Sequence, residues 1–178
     1  VREQGVGRAV LEREHTNLER LEKDGHLVGG AESAPRTAAG TSLREKVATL
    51  SIQELMDLAR TLILEDRNRL REGVALNLAI ARHGLSLLPA GFVPAGQDSQ
   101  TRLSRLVSAG VFARMSGESL PVMTLAGSGN KGITVSVPVS LWGRESGHPE
   151  DRIEEALAFA CLMTTAATWH LGTLSAIC

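Results

Sequence analysis

The residues best equipped for chemistry in this 178-residue chain lie between Ser119 and Gly143, in the run SLPVMTLAGSGNKGITVSVPVSLWG. Lys131 is its one charged residue before Arg144. A polar, glycine-rich knot (GSGNKG, 127–132) sits there between two apolar stretches. Glycines let successive backbone N–H groups converge on an anion, and a helix beginning at such a knot adds partial positive charge. Ser128 and Asn130 bring side-chain hydrogen bonds, and Lys131 brings a full charge. Gly127, Ser128, Gly129, Asn130 and Lys131 are therefore the candidate binding residues. The expected geometry is a tight turn at a helix N-terminus, with at least one glycine at positive φ and with Ser128 and Asn130 facing a cleft.

Gly127, Gly129 and Gly132 match G-x-G-x-x-G literally, but the dinucleotide fingerprint also needs a strand before, a good helix after, and an acid about 20 residues on. PVMTLA is compatible with a strand. ITVSVPVS is β-branched and holds Pro138, which makes a poor surface helix, and no βαβ unit of about 30 residues fits before Gly143. Ile133 after Gly132 removes the Walker pattern as well. A nucleotide or anion site at the loop, and a bare turn in a non-enzymatic helical interaction module, stand as the alternative readings.

Two cysteines rule out a disulfide scaffold and, alone, a four-thiolate metal site. Cys161, beside Phe159 and Leu162, reads as a small buried hydrophobe. Cys178 is a terminal free thiol as the chain stands. His170 reads as a hydrogen-bonded or helix-terminal histidine, and His15 as a surface histidine of a hairpin. Asn77 stands among apolar neighbours and is expected to cap or bridge backbone inside a bundle. The Glu/Arg pairs at 12–20 and 65–72 read as solvated faces.

The elements that must position these residues are mostly helical. Ser51 and Glu54 spell a capping box, followed by Ile52, Leu55, Met56, Ala59, Leu62 and Ile63 at helical spacing. A second helix is predicted over about 67–83, with Gly84 as its C′ stop and Leu70, Val74, Asn77, Leu78 and Ala81 as its inner stripe. A third runs from about Asp98 to Met115. A long final helix over 150–171 turns Ile153, Leu157, Ala160, Cys161 and Thr164 inward and, uncharged after Glu155, is expected to be central. Lys23-Asp24-Gly25 marks a hairpin turn between short strands. The expected organisation is a small β element over 1–28, a Gly- and Pro-broken linker over 29–42, and a helical domain over 43–178. The fold class is α+β, predominantly helical.

Composition narrows the partners. Nineteen Lys and Arg against twenty Asp and Glu leave a net charge of −1, which argues against a nucleic-acid binder. Three Phe, two Trp and no Tyr leave little for base stacking, so Ala, Leu, Val and Ile must build the core. Residues 156–178 carry no Asp, Glu, Lys or Arg, but their four Thr and many Ala fall short of the roughly 20 apolar residues of a membrane span. The charged start, VREQGVGRAVLEREH, has no apolar run behind it and is not read as a signal peptide. The expectation is a cytoplasmic protein with an amino-acid substrate, no membrane and no nucleic-acid partner, and with a homo-oligomer left open.

The run ARMSGESLPVMTLAGSGNKGITVSVPV resembles the R-M-x-G…P-V-M…G-S-G-N-Q-G-I…P-V signature of the L-cysteine desulfidase family, relatives of the alpha chain of iron–sulfur-dependent L-serine dehydratase. LSIQELMDLA, NLAIARHGL, LGTLSAIC and the earlier HTNLERLEKDGHLV are similar to its flanking segments, so the likeness spans about residues 9–178. The resemblance implies a lyase that expels hydrogen sulfide from L-cysteine, or water from L-serine, to give pyruvate and ammonia. It implies a four-iron cluster held by three thiolates, with the open iron acting on the leaving group, and it gives the G-S-G-N loop the substrate carboxylate. Cys178 matches the first cluster thiolate of the family's S-A-x-C-G. The C-D-G-A-K…C-A segment that carries the other two, and an early G-C-T-E-P segment, are missing from this sequence. Lys131 replaces the usual Gln, and Thr173 stands where Arg is common. The chain thus reads as an internal fragment or truncated product, with no cluster and no catalysis expected from it alone.

Overall fold

The computed structural model describes residues 7–11, 18–29, 42–93 and 96–171. Three antiparallel strands, β1 (Gly7–Leu11), β2 (Leu18–Lys23) and β3 (His26–Gly29), pair in the order β1-β2-β3. The predicted hairpin is β2–β3, and β1 adds a third strand on its other side. Asp24 (φ 53°) and Gly25 (φ 81°) both adopt the left-handed conformation that a two-residue hairpin turn requires.

Six helices follow among the described residues: α1 (Leu43–Ala48), α2 (Ile52–Ala59), α3 (Leu64–Gly84), α4 (Ser99–Met115), α5 (Gly129–Glu145) and α6 (Glu150–Leu171). The starts of α2 and α4 follow local chemistry. Ser51 Oγ accepts from the Glu54 N–H while the Ser51 N–H donates to Glu54 Oε2 (2.8 Å), the reciprocal capping box. Asp98 Oδ1 accepts from the Thr101 N–H at 2.9 Å and starts α4. Helix α2 stops at Ala59, so Leu62 and Ile63 fall outside the stripe drawn for it, and Ile52 faces solvent. Helix α6 has the predicted bounds, with Ile153 and Leu157 buried and Ala160, Cys161 and Thr164 half-buried. It touches α1, α2, α3 and α5.

Helices α3 to α6 share one core, with Ile80, Ala81, Ala113, Ile133 and Val137 fully buried. Each buried Ile or Val contributes about 1.5–3 kcal/mol over leaving it exposed. With few aromatics, the helices close the gap by approaching each other. A Cβ on Gly84 would lie 2.0 Å from the Ala109 carbonyl oxygen of α4, and one on Gly110 would lie 3.0 Å from Ala81 Cα. This corrects the predicted role of Gly84. It is not a left-handed stop: α3 runs through it to Leu85, and its value is the missing side chain at the α3–α4 crossing. No helix among the described residues is long and apolar enough to cross a membrane.

Two further expectations change. Arg67 and Arg71 are not merely part of a solvated face. Arg67 Nη1 (2.8 Å) and Arg71 Nε (2.5 Å) both bind Glu154 of α6, whose side chain is 2% exposed. Glu65–Arg69 on the same helix is the exposed i,i+4 pair anticipated. The stretch ITVSVPVS is helical throughout, as the middle of α5. Its β-branched residues are tolerated because α3, α4 and α6 cover it, and Pro138 sits inside the helix.

Candidate functional site

The glycine-rich knot folds as a two-residue turn closing onto a helix. The Leu125 N–H donates to the Ser128 carbonyl and the Ser128 N–H donates to the Leu125 carbonyl, each at 3.0 Å. Ala126 (φ 48°) and Gly127 (φ 82°) between them are both left-handed. Ser128 is then the N-cap of α5: its Oγ accepts from the Lys131 N–H and its carbonyl from the Gly132 N–H at 3.2 Å. The predicted tight turn at a helix N-terminus is therefore present, with Gly127 at positive φ.

Gly129 and Gly132 are small for a different reason. A Cβ on Gly129 would meet Arg114 Nε at 2.4 Å, and one on Gly132 would meet the Met123 carbonyl oxygen at 1.9 Å. Arg114, on the last turn of α4, lies across the first turn of α5 and donates from Nη1 to Asn130 Oδ1 at 3.0 Å. It has no carboxylate partner among the described residues. Lys131 donates from Nζ to Thr168 Oγ1 of α6 at 3.3 Å. Arg44 of α1 reaches within 3.7 Å of a Cβ built on Gly127. Three cationic side chains thus surround a turn and the positive end of a helix dipole, an arrangement that favours an anion.

The Ser128 side chain is turned onto the Lys131 amide and the Asn130 side chain onto Arg114, and the two cavities described next are lined by other residues. One cavity, of about 840 Å³, is an apolar groove among Met56, Leu103, Pro138, Trp142 and Phe159. The other, of about 470 Å³, lies among Leu58, Leu62, Leu70, Met123, Cys161 and Leu162. Cys161 is half-buried there, and burial pushes its thiol above the ordinary range, which fits a structural cysteine. His170 is exposed on the last turn of α6. Cys178 and His15 lie outside the described residues, as does the predicted path of 172–177 toward the loop. The last turns of α6 do come to the loop, through Thr168 and Lys131.

Among the described residues no three His, Cys, Asp or Glu side chains converge to hold a metal, and Cys161 sits at an apolar cavity apart from the loop.

Arg114 carries no local signal in the sequence, although it opens the R-M of the family-like run, because only the fold sets the end of α4 against the start of α5. Asn77 bridges backbone inside the bundle as expected. The side chain is fully buried and bonds both to the Met123 backbone and to Ser136.

Comparison with known proteins gives one consistent result. A family model described as the serine dehydratase alpha chain matches residues 4–178. A UPF0597 protein of Fervidobacterium nodosum is 31% identical over 164 residues, covering 92% of this chain and 38% of that protein. One of Clostridium tetani is 30% identical over 176 residues, covering 96% and 41%. One of Geobacter sulfurreducens is 32% identical over 184 residues, covering 97% and 42%. The chain therefore spans about two fifths of the length of these curated relatives. No solved structure matches.

Proposed function

Because this chain belongs to the serine dehydratase alpha-chain family, we propose that it is the substrate-holding part of a lyase that removes the β-substituent of L-serine or L-cysteine, its loop seating the amino acid's carboxylate. The supporting observation is the turn 125–128 capping α5, with Arg44, Arg114 and Lys131 around it. A carboxylate there gains the Gly129 and Asn130 amides, which have no acceptor within the helix, and a guanidinium able to bond two oxygens at once. Such charge-assisted bonds are each worth about 1.5–3 kcal/mol.

The reaction converts the amino acid to an aminoacrylate by loss of the α-proton and the β-substituent, and hydrolysis then gives pyruvate and ammonia. The family's iron–sulfur cluster supplies Lewis-acid chemistry at the departing group when bound. Among the described residues no three side chains converge as ligands for such a group, and their part is to bind and orient. L-serine and L-cysteine carry the same carboxylate and differ at one β-atom, so this loop does not choose between them. Cys178 is the residue of this chain proposed to reach the cluster, in the company of thiolates carried elsewhere in a longer relative.

The test is a titration of the purified chain with L-serine, followed through backbone amide resonances. Shifts should concentrate on 126–132 and on Arg114, and Arg114→Ala should weaken binding about tenfold, the loss of one charged hydrogen bond. No shift at the loop, or shifts confined to the apolar groove at Trp142, would overturn the proposal.

A further inference from the structure

We infer that Asn77, fully buried on α3, is the positioning residue that sets the geometry of the glycine turn; the consequence for substrate binding rests on the function proposed above. Three observations carry the inference. First, the segment 118–124 between α4 and the turn belongs to no helix and pairs with no strand among the described residues. Asn77 takes the place of that strand: Oδ1 accepts from the Met123 N–H at 2.9 Å, and Nδ2 approaches the carbonyl of the same residue at 3.4 Å. A carboxamide presents an N–H donor beside a C=O acceptor as a peptide group does, and keeps a second N–H for another partner, so it pairs with backbone as a neighbouring strand would. The orientation of the amide is fixed, because the Met123 N–H can only donate.

Second, Nδ2 also donates to Ser136 Oγ of α5 at 2.9 Å. One side chain therefore grips the backbone two residues before the turn and the helix two turns after it begins. Everything between, including Ala126, Gly127 and the Ser128 cap, is held from both ends. Third, the junction has no slack. Gly73 gives way to the Met123 side chain, where a Cβ would lie 2.1 Å from Sδ, and Gly132 gives way to the Met123 carbonyl. Asn77 and Ser136 are both fully buried. A buried network with every member satisfied is rigid, and one with a missing partner is not.

Asn77→Asp keeps the shape, exchanges the donor for a second acceptor, and tests the pairing directly. Asn77→Ser is the milder variant should a buried charge prevent folding. Ser136→Ala is the control, since it leaves the Met123 pairing intact. Amide hydrogen exchange is read residue by residue, alongside L-serine titration. We expect exchange at Met123, Ser128 and Gly132 to quicken about tenfold or more in the Asn77 variants, while Leu157 and Ala158 in α6 keep their rates, as expected of local opening. Ser136→Ala should change loop exchange about threefold or less, since only one bond is lost. The L-serine Kd should rise about tenfold in the Asn77 variants with the binding stoichiometry unchanged. Equal quickening of loop and α6 would mean a purely global role and would overturn the inference, as would an unchanged loop. If the unaltered chain binds no L-serine, the proposed function fails while the exchange pattern still decides the role of Asn77.

Discussion

At position 132 one added methyl group decides whether the site can form. Its carbon would lie 1.9 Å from the Met123 carbonyl oxygen, which Asn77 Nδ2 approaches at 3.4 Å. Gly132→Ala should therefore cost about 1–3 kcal/mol, the usual penalty of overpacking, read from the midpoint of urea unfolding; a stability equal to the parent's would show that the junction is loose. Cys161 makes a second residue-level expectation. Burial raises its thiol from the usual 9.0, so the folded chain keeps this proton after the unfolded chain has lost it. The thiol's contribution is thus whole below about pH 9 and declines as pH rises above it. Cys161→Val should flatten the alkaline side of the stability curve, and an unchanged curve would remove Cys161 as a cause. Asn77 was legible in the sequence because a polar amide on an apolar stripe must be satisfied. Glu154 was not: it looked like one of several acids near a helix start, and only the fold brings Arg67 and Arg71 to it.

Elements were legible where their signals are local. The capping box of α2, the Asp98 cap of α4 and the run of α6 without Gly or Pro all lie within a turn or two of the residues they govern. Helix α1 went unseen because six residues with one buried side chain, Val47, carry too little periodicity to read. Helix α5 read as a poor helix because its stability comes from neighbours rather than from propensity. Pro138 is the clearest sign: it has no N–H to offer the preceding turn, yet the helix continues to Glu145. Pro138→Ala should restore that bond and raise stability by about 1–3 kcal/mol, measured by thermal unfolding; a loss would mean that its ring packing in the groove beside Trp142 matters more. The α5–α6 joint should also respond to acid. Arg144 Nε holds Glu150 Oε1 at 2.7 Å and keeps that carboxyl below its usual 4.5. This contribution is complete above about pH 4.5 and is lost as pH falls through the lowered value. The difference in Tm between the parent and Glu150→Gln should accordingly be largest near neutral pH and shrink as pH falls below about 4.5. A difference independent of pH would exclude this ion pair as its source.

For the whole molecule, the decisive comparison is between what the chain can bind and what it can convert. It matches about two fifths of the length of its curated relatives, and it has two cysteines in all. One of them, Cys161, faces an apolar cavity and is held in the thiol form by burial, the opposite of what a metal ligand needs. A four-iron cluster on three thiolates therefore exceeds the chain's supply, whatever Cys178 does. The anion-favouring turn, by contrast, draws only on residues present here: the Ser128 cap, Arg44, Arg114 and Lys131. Binding and conversion should consequently separate. After anaerobic incubation with iron and sulfide and removal of loose ions, the chain should show no broad visible absorption of thiolate-bound clusters and should release no pyruvate from L-cysteine or L-serine. The same preparation should still bind L-serine at the loop. Extending the chain with the thiolate-bearing segment of a relative should bring back absorption and pyruvate together, and Cys178→Ser in that longer protein should abolish both while leaving L-serine binding at the loop intact. Pyruvate formation by the 178-residue chain alone would contradict the division of labour proposed here, because it would require a way of expelling the β-substituent that uses no cluster.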